Sequence, residues 1–315
     1  MAAIRVEGLR KTFGEVQALA GLTLTVESGS VFGFLGPNGA GKTTTIRILT
    51  GLARATAGRA WVDSIEVAAT PSSRRQIANH IGYLPQEPAF YSWMTAREML
   101  DHVGRVFELS ARERQGRTPE LLELAGLTEA GGRRIGGFSG GMRQRLGIAQ
   151  ALVNRPKVLF LDEPVSGLDP AGRRELLELI ERLRGQCTVF MSTHILADVE
   201  RVCDSVGIIN HGRLVVEAPQ DELIERYALP AFEVEAENGF VQPLMAWADT
   251  LRQMSWVASV ATDKRTARVV VSDVAKAKCE LMASAVAAGL VLTRYEVVRP
   301  SLEDVFLKLV DQGEQ

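Results

Sequence analysis

The stretch Gly36-Pro37-Asn38-Gly39-Ala40-Gly41-Lys42-Thr43 decides the fold of this chain. It matches the pattern of a phosphate-binding loop, in which glycines, a lysine and a hydroxyl stand at fixed offsets. Apolar residues 31–35 before it predict a strand, and residues 44–49 after it predict a helix. Glycines let backbone N–H groups converge on phosphate oxygens, and the helix N-terminus adds roughly half a positive charge. The stretch therefore predicts that the chain binds a nucleoside triphosphate.

Length, charge and hydropathy limit what else the chain can be. Its 315 residues suffice for one large domain and one small one. The formal net charge of −2 argues against a generally basic nucleic-acid-binding surface. The N-terminus lacks the apolar core of a signal peptide, and no segment approaches the roughly 20 apolar residues that cross a bilayer. We therefore expect any membrane role to come through a partner.

The three cysteines show no spacing typical of a metal site. Cys187, Cys203 and Cys279 lie far apart in the sequence. We expect them to be reduced and buried, as in a cytosolic protein.

Strands and helices alternate through the first two thirds of the chain. Strand patterns at 158–161 and 188–191 follow the loop, and helical patterns cover 95–126 and 171–184. Thr95 is a predicted N-cap, and another helix is expected to start at Ser139. This order predicts an α/β core with a largely parallel sheet.

A domain boundary is expected near 226–231. Beyond it the pattern reads strand, helix, strand, strand, helix, strand, which predicts a small ferredoxin-like α+β domain. A last helix is predicted over 301–310, after Pro300. The predicted elements are strands 231–237, 256–262, 266–272 and 291–298, and helices 243–254 and 274–289.

Two adjacent carboxylates end the apolar strand at 158–161. Neighbouring side chains on a strand point to opposite sides, so Asp162 can face a magnesium ion while Glu163 faces an attacking water. A general base beside a metal ligand suits the hydrolysis of a phosphoanhydride.

The segment Phe138–Met142 predicts a second anion-binding helix start. Ser139 can cap the helix, and two glycines leave backbone N–H groups accessible. On its own, this pattern is more typical of an ordinary helix start.

Together these segments resemble an ABC-type ATPase, the nucleotide-binding subunit of an ATP-binding-cassette transporter. The resemblance covers about residues 3–222. The matching motifs, in the family's order, are the Walker A loop at Gly36–Thr44, the Q-loop glutamine Gln86, the signature Ser139-Gly140-Gly141, the Walker B end Leu161–Pro164, the D-loop Ser166–Asp169 and the switch histidine His194.

The resemblance implies roles for particular residues and implies ATP and Mg²⁺ as ligands. Glu163 would polarise the attacking water, and His194 would contact the γ-phosphate. Phe13 would stack on the adenine, and Asp169 would communicate across a dimer. The implied phosphate-loop residues are Gly36, Asn38, Gly39, Ala40, Gly41, Lys42, Thr43 and Thr44; the implied magnesium ligands are Thr43, Gln86 and Asp162; and the residues implied to contact the partner subunit's ATP are Ser139, Gly140 and Gly141.

The resemblance also implies an assembly. Two copies would pack head to tail beneath separate polytopic permease subunits, at the cytoplasmic face of the membrane and without nucleic acid. Residues 1–225 would form the ATPase domain, with a helical subdomain at about 87–150, and residues 226–315 an accessory domain. The aromatic run 87–93 is either the seat for a coupling helix of the permease or a packed loop cluster.

The C-terminal tail favours export as the direction of transport. Residues 298–307 resemble the tail of exporter ATPases for drugs, sodium and polysaccharides. The signature begins with Phe138 and ends with Met142, where the family at large favours Leu and Gln, and this variation is usual in the drug and sodium exporter branch. One alternative is an importer ATPase whose C-terminal domain senses a ligand. The other is a soluble ABC ATPase acting on DNA or ribosomes, whose usual second cassette, coiled coil or zinc site is not visible in the sequence.

Overall fold

The computed structural model describes residues 2–68, 70–227, 230–298 and 302. Its contacts divide the chain into two units, Met1–Gln220 and Asp221–Gln315. The strands of the first unit are β1 (Ala2–Phe13), β2 (Val16–Glu27), β3 (Val31–Leu35), β4 (Ala57–Val62), β5 (Ile65–Glu66), β6 (Ile81–Leu84), β7 (Val158–Asp162), β8 (Thr188–Thr193), β9 (Ser205–Asn210) and β10 (Arg213–Pro219). Its helices are α1 (Lys42–Leu49), α2 (Pro71–His80), α3 (Ala96–Val106), α4 (Ala111–Leu124), α5 (Gly140–Ala151), α6 (Pro170–Arg182) and α7 (Leu196–Val202), with a short 3₁₀ turn at Ile135–Gly137.

A six-stranded sheet with the order β10-β9-β3-β8-β7-β6 forms the centre of the first unit. Strands β9, β3, β8, β7 and β6 run parallel, and β10 is antiparallel to β9. All residues of β3, β7 and β8 are buried, as expected for parallel strands covered on both faces. The carboxyl ends of these three strands therefore meet at one edge of the sheet.

Aromatic packing holds the central strands together. The ring of Phe190 on β8 lies 5.3 Å from that of Phe32, 5.2 Å from that of Phe34 and 5.7 Å from that of Phe160, measured between centroids. A second sheet, in the order β2-β1-β4-β5, is antiparallel and contributes Ile4 and other apolar side chains to the same core. This packing makes a rigid support for the edge where the strands end.

The helical pattern over 95–126 forms two helices, α3 and α4, and not one. Each helix begins with a capping box, Thr95 with Glu98 and Ser110 with Glu113. Glu108, between them, has a φ of 57°. The second capping box starts a new helix although the apolar pattern continues, because it satisfies N–H groups that a helix start leaves free.

The second unit contains helices packed on one face of an antiparallel sheet. Its elements are α8 (Gln220–Tyr227), β11 (Ala231–Ala236), α9 (Val241–Leu251), β12 (Val257–Asp263), β13 (Thr266–Val271), α10 (Val274–Ala287) and β14 (Leu292–Val298). The sheet order β12-β13-β11-β14 and the antiparallel pairing confirm the predicted ferredoxin-like βαββαβ arrangement. The helix predicted over 301–310 lies outside the described residues, apart from Leu302.

The prediction that all three cysteines are buried is wrong for Cys279. Helix α10 buries Ala277, Leu281 and Ala285, which share one face, and Cys279 lies on the exposed side. Cys187 and Cys203 are buried, and burial raises the pKa of the Cys187 thiol to about 11. Within the described ranges, no helix is long and apolar enough to cross a membrane.

Candidate nucleotide-binding site

A cavity of about 260 Å³ lies where β3, β7 and β8 end. It brings together residues that are far apart in the sequence. Its lining consists of Ala18, Asn38, Gly39, Gly41, Lys42, Thr43, Thr44, Gln86, Glu163, Ser166 and His194.

The glycine loop wraps closely around the start of α1. Gly41 is the N-cap of this helix and has a φ of 110°, a conformation that favours glycine. A Cβ at Gly41 would lie 2.7 Å from the carbonyl oxygen of Ala18. The first turn of α1, with Lys42 and Thr43, therefore points into the cavity from a loop that only glycine can complete.

The ammonium group of Lys42 is buried and fully paired. Its Nζ donates to the carbonyl oxygens of Gly36, at 2.7 Å, and Pro37, at 3.2 Å. Nζ also lies 3.2 Å from Oε1 of Glu163, and both side chains are less than a tenth exposed. A buried charge needs such partners, and a phosphate oxygen could replace one of them.

Asp162 and Thr43 offer oxygen ligands on neighbouring elements. Oδ1 of Asp162 accepts hydrogen bonds from Thr43 Oγ1 at 3.1 Å and from Ser192 Oγ at 2.7 Å. Mg²⁺ prefers hard oxygen ligands and is usually bound through one or two carboxylates together with substrate phosphates. The donor set of Thr43 and Asp162 therefore fits a magnesium ion, and Gln86 lines the same cavity.

Glu163 is directed by a backbone turn and not by strand alternation. Strand β7 ends at Asp162, and Glu163 has a φ of 48°, in the left-handed region. Its N–H donates to Ser192 Oγ at 3.1 Å, and its Oε2 lies 2.8 Å from His194 Nδ1. The premise that the two carboxylates alternate along a strand is therefore wrong, since Glu163 leaves the strand.

His194 follows β8 directly and lines the cavity. An ionised carboxylate only accepts hydrogen bonds, so Nδ1 donates to Glu163 and Nε2 remains for another contact. The N–H of Ile195 donates to Thr193 Oγ1 at 3.0 Å, which orders the chain after the histidine.

Several residues with implied roles do not line this cavity. Phe13 is 53% exposed at the end of β1, and Lys11 Nζ lies 4.4 Å from its ring centroid. Ser139 caps α5 through the N–H of Met142 at 3.2 Å. The others outside the lining are Gly36 and Ala40 in the loop, Asp162 behind Thr43, Gly140 and Gly141 on α5, and Asp169, which caps α6.

Sequence reasoning missed Ser192, which connects the Asp162 carboxylate to the backbone of Glu163. Its hydroxyl donates to Asp162 and accepts from the backbone of Glu163. The available signal was a pair of polar residues, Ser192 and Thr193, at the end of an apolar strand. The parallel register that pairs Asp162 with Ser192 is visible only in the structure.

Comparisons with known proteins place relatives over the whole chain. A family model described as ABC transporter matches residues 19–166, and one described as ATP-binding protein DrrA1-3-like, C-terminal domain, matches residues 219–310. The uncharacterized ABC transporter ATP-binding protein YxlF of Bacillus subtilis (strain 168) is 40% identical over 98% of this chain and 99% of its own. The daunorubicin resistance ATP-binding protein DrrA2 of Streptomyces coeruleorubidus is 38% identical over 98% of this chain and 94% of its own.

A solved structure of similar fold shows a cassette with products bound. It is the dimeric post-hydrolysis state of the ATP-binding cassette MJ0796 bound to ADP and Pi. The TM-score is 0.62 at 25% identity, and the match covers 69% of this chain and 98% of that one.

Proposed function

This chain belongs to the ATP-binding subunits of ABC transporters, which hydrolyse ATP, and on this premise we propose that it powers export through separate membrane-spanning subunits. The observation that carries the export proposal is the match of the DrrA1-3-like C-terminal domain to residues 219–310. The ATPase site is supported by the buried contact of Lys42 with Glu163, which joins the phosphate loop to the end of β7. His194 completes this group from the end of β8.

We propose that ATP is bound with its phosphates against the loop and Lys42, and with its adenine on Phe13. Thr43, Asp162 and Gln86 would hold Mg²⁺, which, when bound, neutralises charge on the phosphates. Glu163 would then accept a proton from the attacking water, and His194 would hold the γ-phosphate. The hydrogen bond from His194 orients the Glu163 carboxylate, which supports its role as the base.

We propose that the working form is a homodimer beneath a permease. ABC cassettes dimerise and act with membrane subunits, and the similar cassette structure is itself dimeric. In the described protomer, Ser139, Gly140 and Gly141 are absent from the cavity lining, which supports a contact with the nucleotide of a second copy. The domain bounds 1–225 and 226–315, and the helical subdomain at 87–150, remain part of this proposal.

Export is the direction that the C-terminal unit supports. The relative DrrA2 is named for daunorubicin resistance, and the DrrA-like model matches residues 219–310. The match to the MJ0796 cassette structure covers only 69% of this chain. The likeness to resistance proteins therefore extends beyond the ATPase core, and it supports our proposal that the chain acts at the cytoplasmic face of the membrane through its partners.

A surface for the membrane partner is proposed at Tyr91 and Trp93. Their side chains are 54% and 66% exposed, and their ring centroids lie 5.8 Å apart. Exposed neighbouring aromatic residues are typical of an interaction site.

The test is co-purification of the tagged protein from its native membranes in mild detergent, with mass identification of what accompanies it. A polytopic partner supports the proposal, and the Tyr91→Ser/Trp93→Ser variant should lose it. The matched control is Leu52→Ser, which removes an apolar side chain 65% exposed elsewhere and should keep the partner. A permease accompanied by a solute receptor would indicate import. Ribosomal or DNA-bound partners alone would contradict transport.

A further inference from the structure

An ion pair with a buried carboxylate joins α6 to α7 outside the cavity. Nε of Arg173 donates to Oδ1 of Asp198 at 2.6 Å. The Asp198 side chain is 1% exposed, whereas that of Arg173 is 34% exposed. Oδ2 of Asp198 has no hydrogen-bond partner among the described residues. Arg173 therefore stabilises this carboxylate through both a hydrogen bond and its charge, and the charge of Arg201 adds a smaller contribution.

The ion pair connects two segments, one that follows Asp169 and one that follows His194. Arg173 lies four residues after Asp169, and its N–H donates to the Asp169 carbonyl oxygen at 2.9 Å. Asp198 lies four residues after His194, and its N–H donates to the carbonyl oxygen of Ile195 at 3.3 Å. The ion pair thus links the first turn of α6 to the first turn of α7.

A second ion pair joins the same two helices without reaching these first turns. Arg201 on α7 lies 3.3 Å from Glu178 on α6, and their side chains are 38% and 49% exposed. Exposed pairs of this kind contribute little, because water screens them. A buried carboxylate with one cationic partner, in contrast, is strongly destabilised when that partner moves away. Of these two ion pairs, Arg173–Asp198 is therefore the one that a shift of α6 against α7 would strongly destabilise.

We propose that Arg173 and Asp198 are positioning residues that couple Asp169 to His194. The inference rests on the ATPase site proposed above. When a second copy contacts the segment around Asp169, the rigid pair transmits the displacement to α7 and sets the position of His194 against the γ-phosphate. Neither residue lines the nucleotide cavity, so the pair acts on hydrolysis and not on ATP binding.

The test is a double-mutant cycle measured in kcat, with Asp198→Asn, Arg173→Gln and the double variant of the full-length chain. We expect each single change to lower kcat about tenfold, since small displacements of catalytic groups have large effects. KM and the Kd for ATP should change less than about twofold, and the double variant should lose no more than a single one. The matched control cycle, Glu178→Gln with Arg201→Gln, should leave kcat within about twofold.

If the double variant loses the product of the two single losses in kcat, the coupling is overturned. Equal losses of kcat in the control cycle would overturn it as well, and so would an effect confined to KM. Thermal unfolding identifies variants that fail to fold, and Arg173→Lys then serves in their place, because lysine keeps the charge without the guanidinium geometry. It should lower kcat with Kd preserved, and unchanged kcat would contradict the proposal. A wild-type chain without ATPase activity, or a fully active Glu163→Gln variant, would contradict the proposed function instead.

Discussion

The Lys42 ammonium and the Glu163 carboxylate, 3.2 Å apart and both buried, form an ion pair. One is the proposed phosphate ligand and the other the proposed base. Phosphate oxygens arriving at the loop would compete with Glu163 for Lys42. We therefore expect ATP binding to release the carboxylate from Lys42 while it keeps its hydrogen bond from His194, so that the base becomes available to water only when substrate is present.

Replacement of Glu163 by Gln should separate ATP binding from turnover. The amide keeps the size of the side chain but cannot accept a proton, so kcat should fall at least about 100-fold. ATP should still bind, and the variant should accumulate as a closed dimer, measured by size-exclusion chromatography with ATP. Turnover within about threefold of wild type would show that another group is the base.

Replacement of Lys42 by Ala should weaken ATP binding or turnover severely. The change removes the cation at the phosphate loop and leaves Glu163 buried without its ion-pair partner, at a cost of about 3 kcal/mol in stability. Urea unfolding and nucleotide binding by calorimetry measure the two effects. Lys157→Ala, at an exposed lysine, is the control and should change neither. Undiminished hydrolysis in Lys42→Ala would contradict the phosphate-loop assignment.

Replacement of Gly172 by Ala should disturb the start of α6. A Cβ there would lie 2.8 Å from Oδ1 of Asp169, which accepts the capping hydrogen bond from the Gly172 N–H. Loss of this cap should cost about 1 kcal/mol and lower ATPase activity, measured by thermal unfolding and steady-state kinetics. The control is Gly116→Ala in α4, where a Cβ meets nothing within 4 Å. The stability of the Gly116→Ala variant should rise by about 0.5–1 kcal/mol. Equal losses of stability at both positions would show that loss of the Asp169 cap is not the cause.

Replacement of Glu217 by Gln should make the chain more stable than the wild type at high pH. Burial raises the pKa of Glu217, although a hydrogen bond from the Thr25 N–H opposes the shift. The native carboxyl therefore holds its proton to higher pH than the unfolded one, and stability decreases as the pH rises from the unfolded pKa through the raised pKa. The variant should gain about 1–2 °C in Tm at pH 8 and nothing below about pH 4.

If the difference in Tm between the wild type and Glu217→Gln does not depend on pH, the ionisation argument for Glu217 is contradicted. The control Glu217→Ala removes both the charge and the acceptor of the Thr25 N–H. It should therefore gain less than Glu217→Gln at pH 8.

Much of the fold and the family was predictable because the signals are local. The glycine loop, the apolar strands and the capping residues each act over a few neighbours, and the α/β core and the βαββαβ order are confirmed. The family and the ATPase activity are confirmed by the comparisons. The break before Ser110 was not predicted, because the apolar pattern runs across it and a capping box decides the outcome. The roles of individual site residues remain predictions.

The sequence by itself determined that a phosphate loop, two carboxylates and a histidine stand at the ends of buried strands. Only the tertiary structure decided which of them meet. The parallel register brings Ser192 beside Asp162, and the left-handed turn at Glu163 directs its carboxylate to Lys42 and His194. Local patterns specify elements because their energies arise between near neighbours, whereas pairs such as Arg173 with Asp198 depend on how separate helices pack.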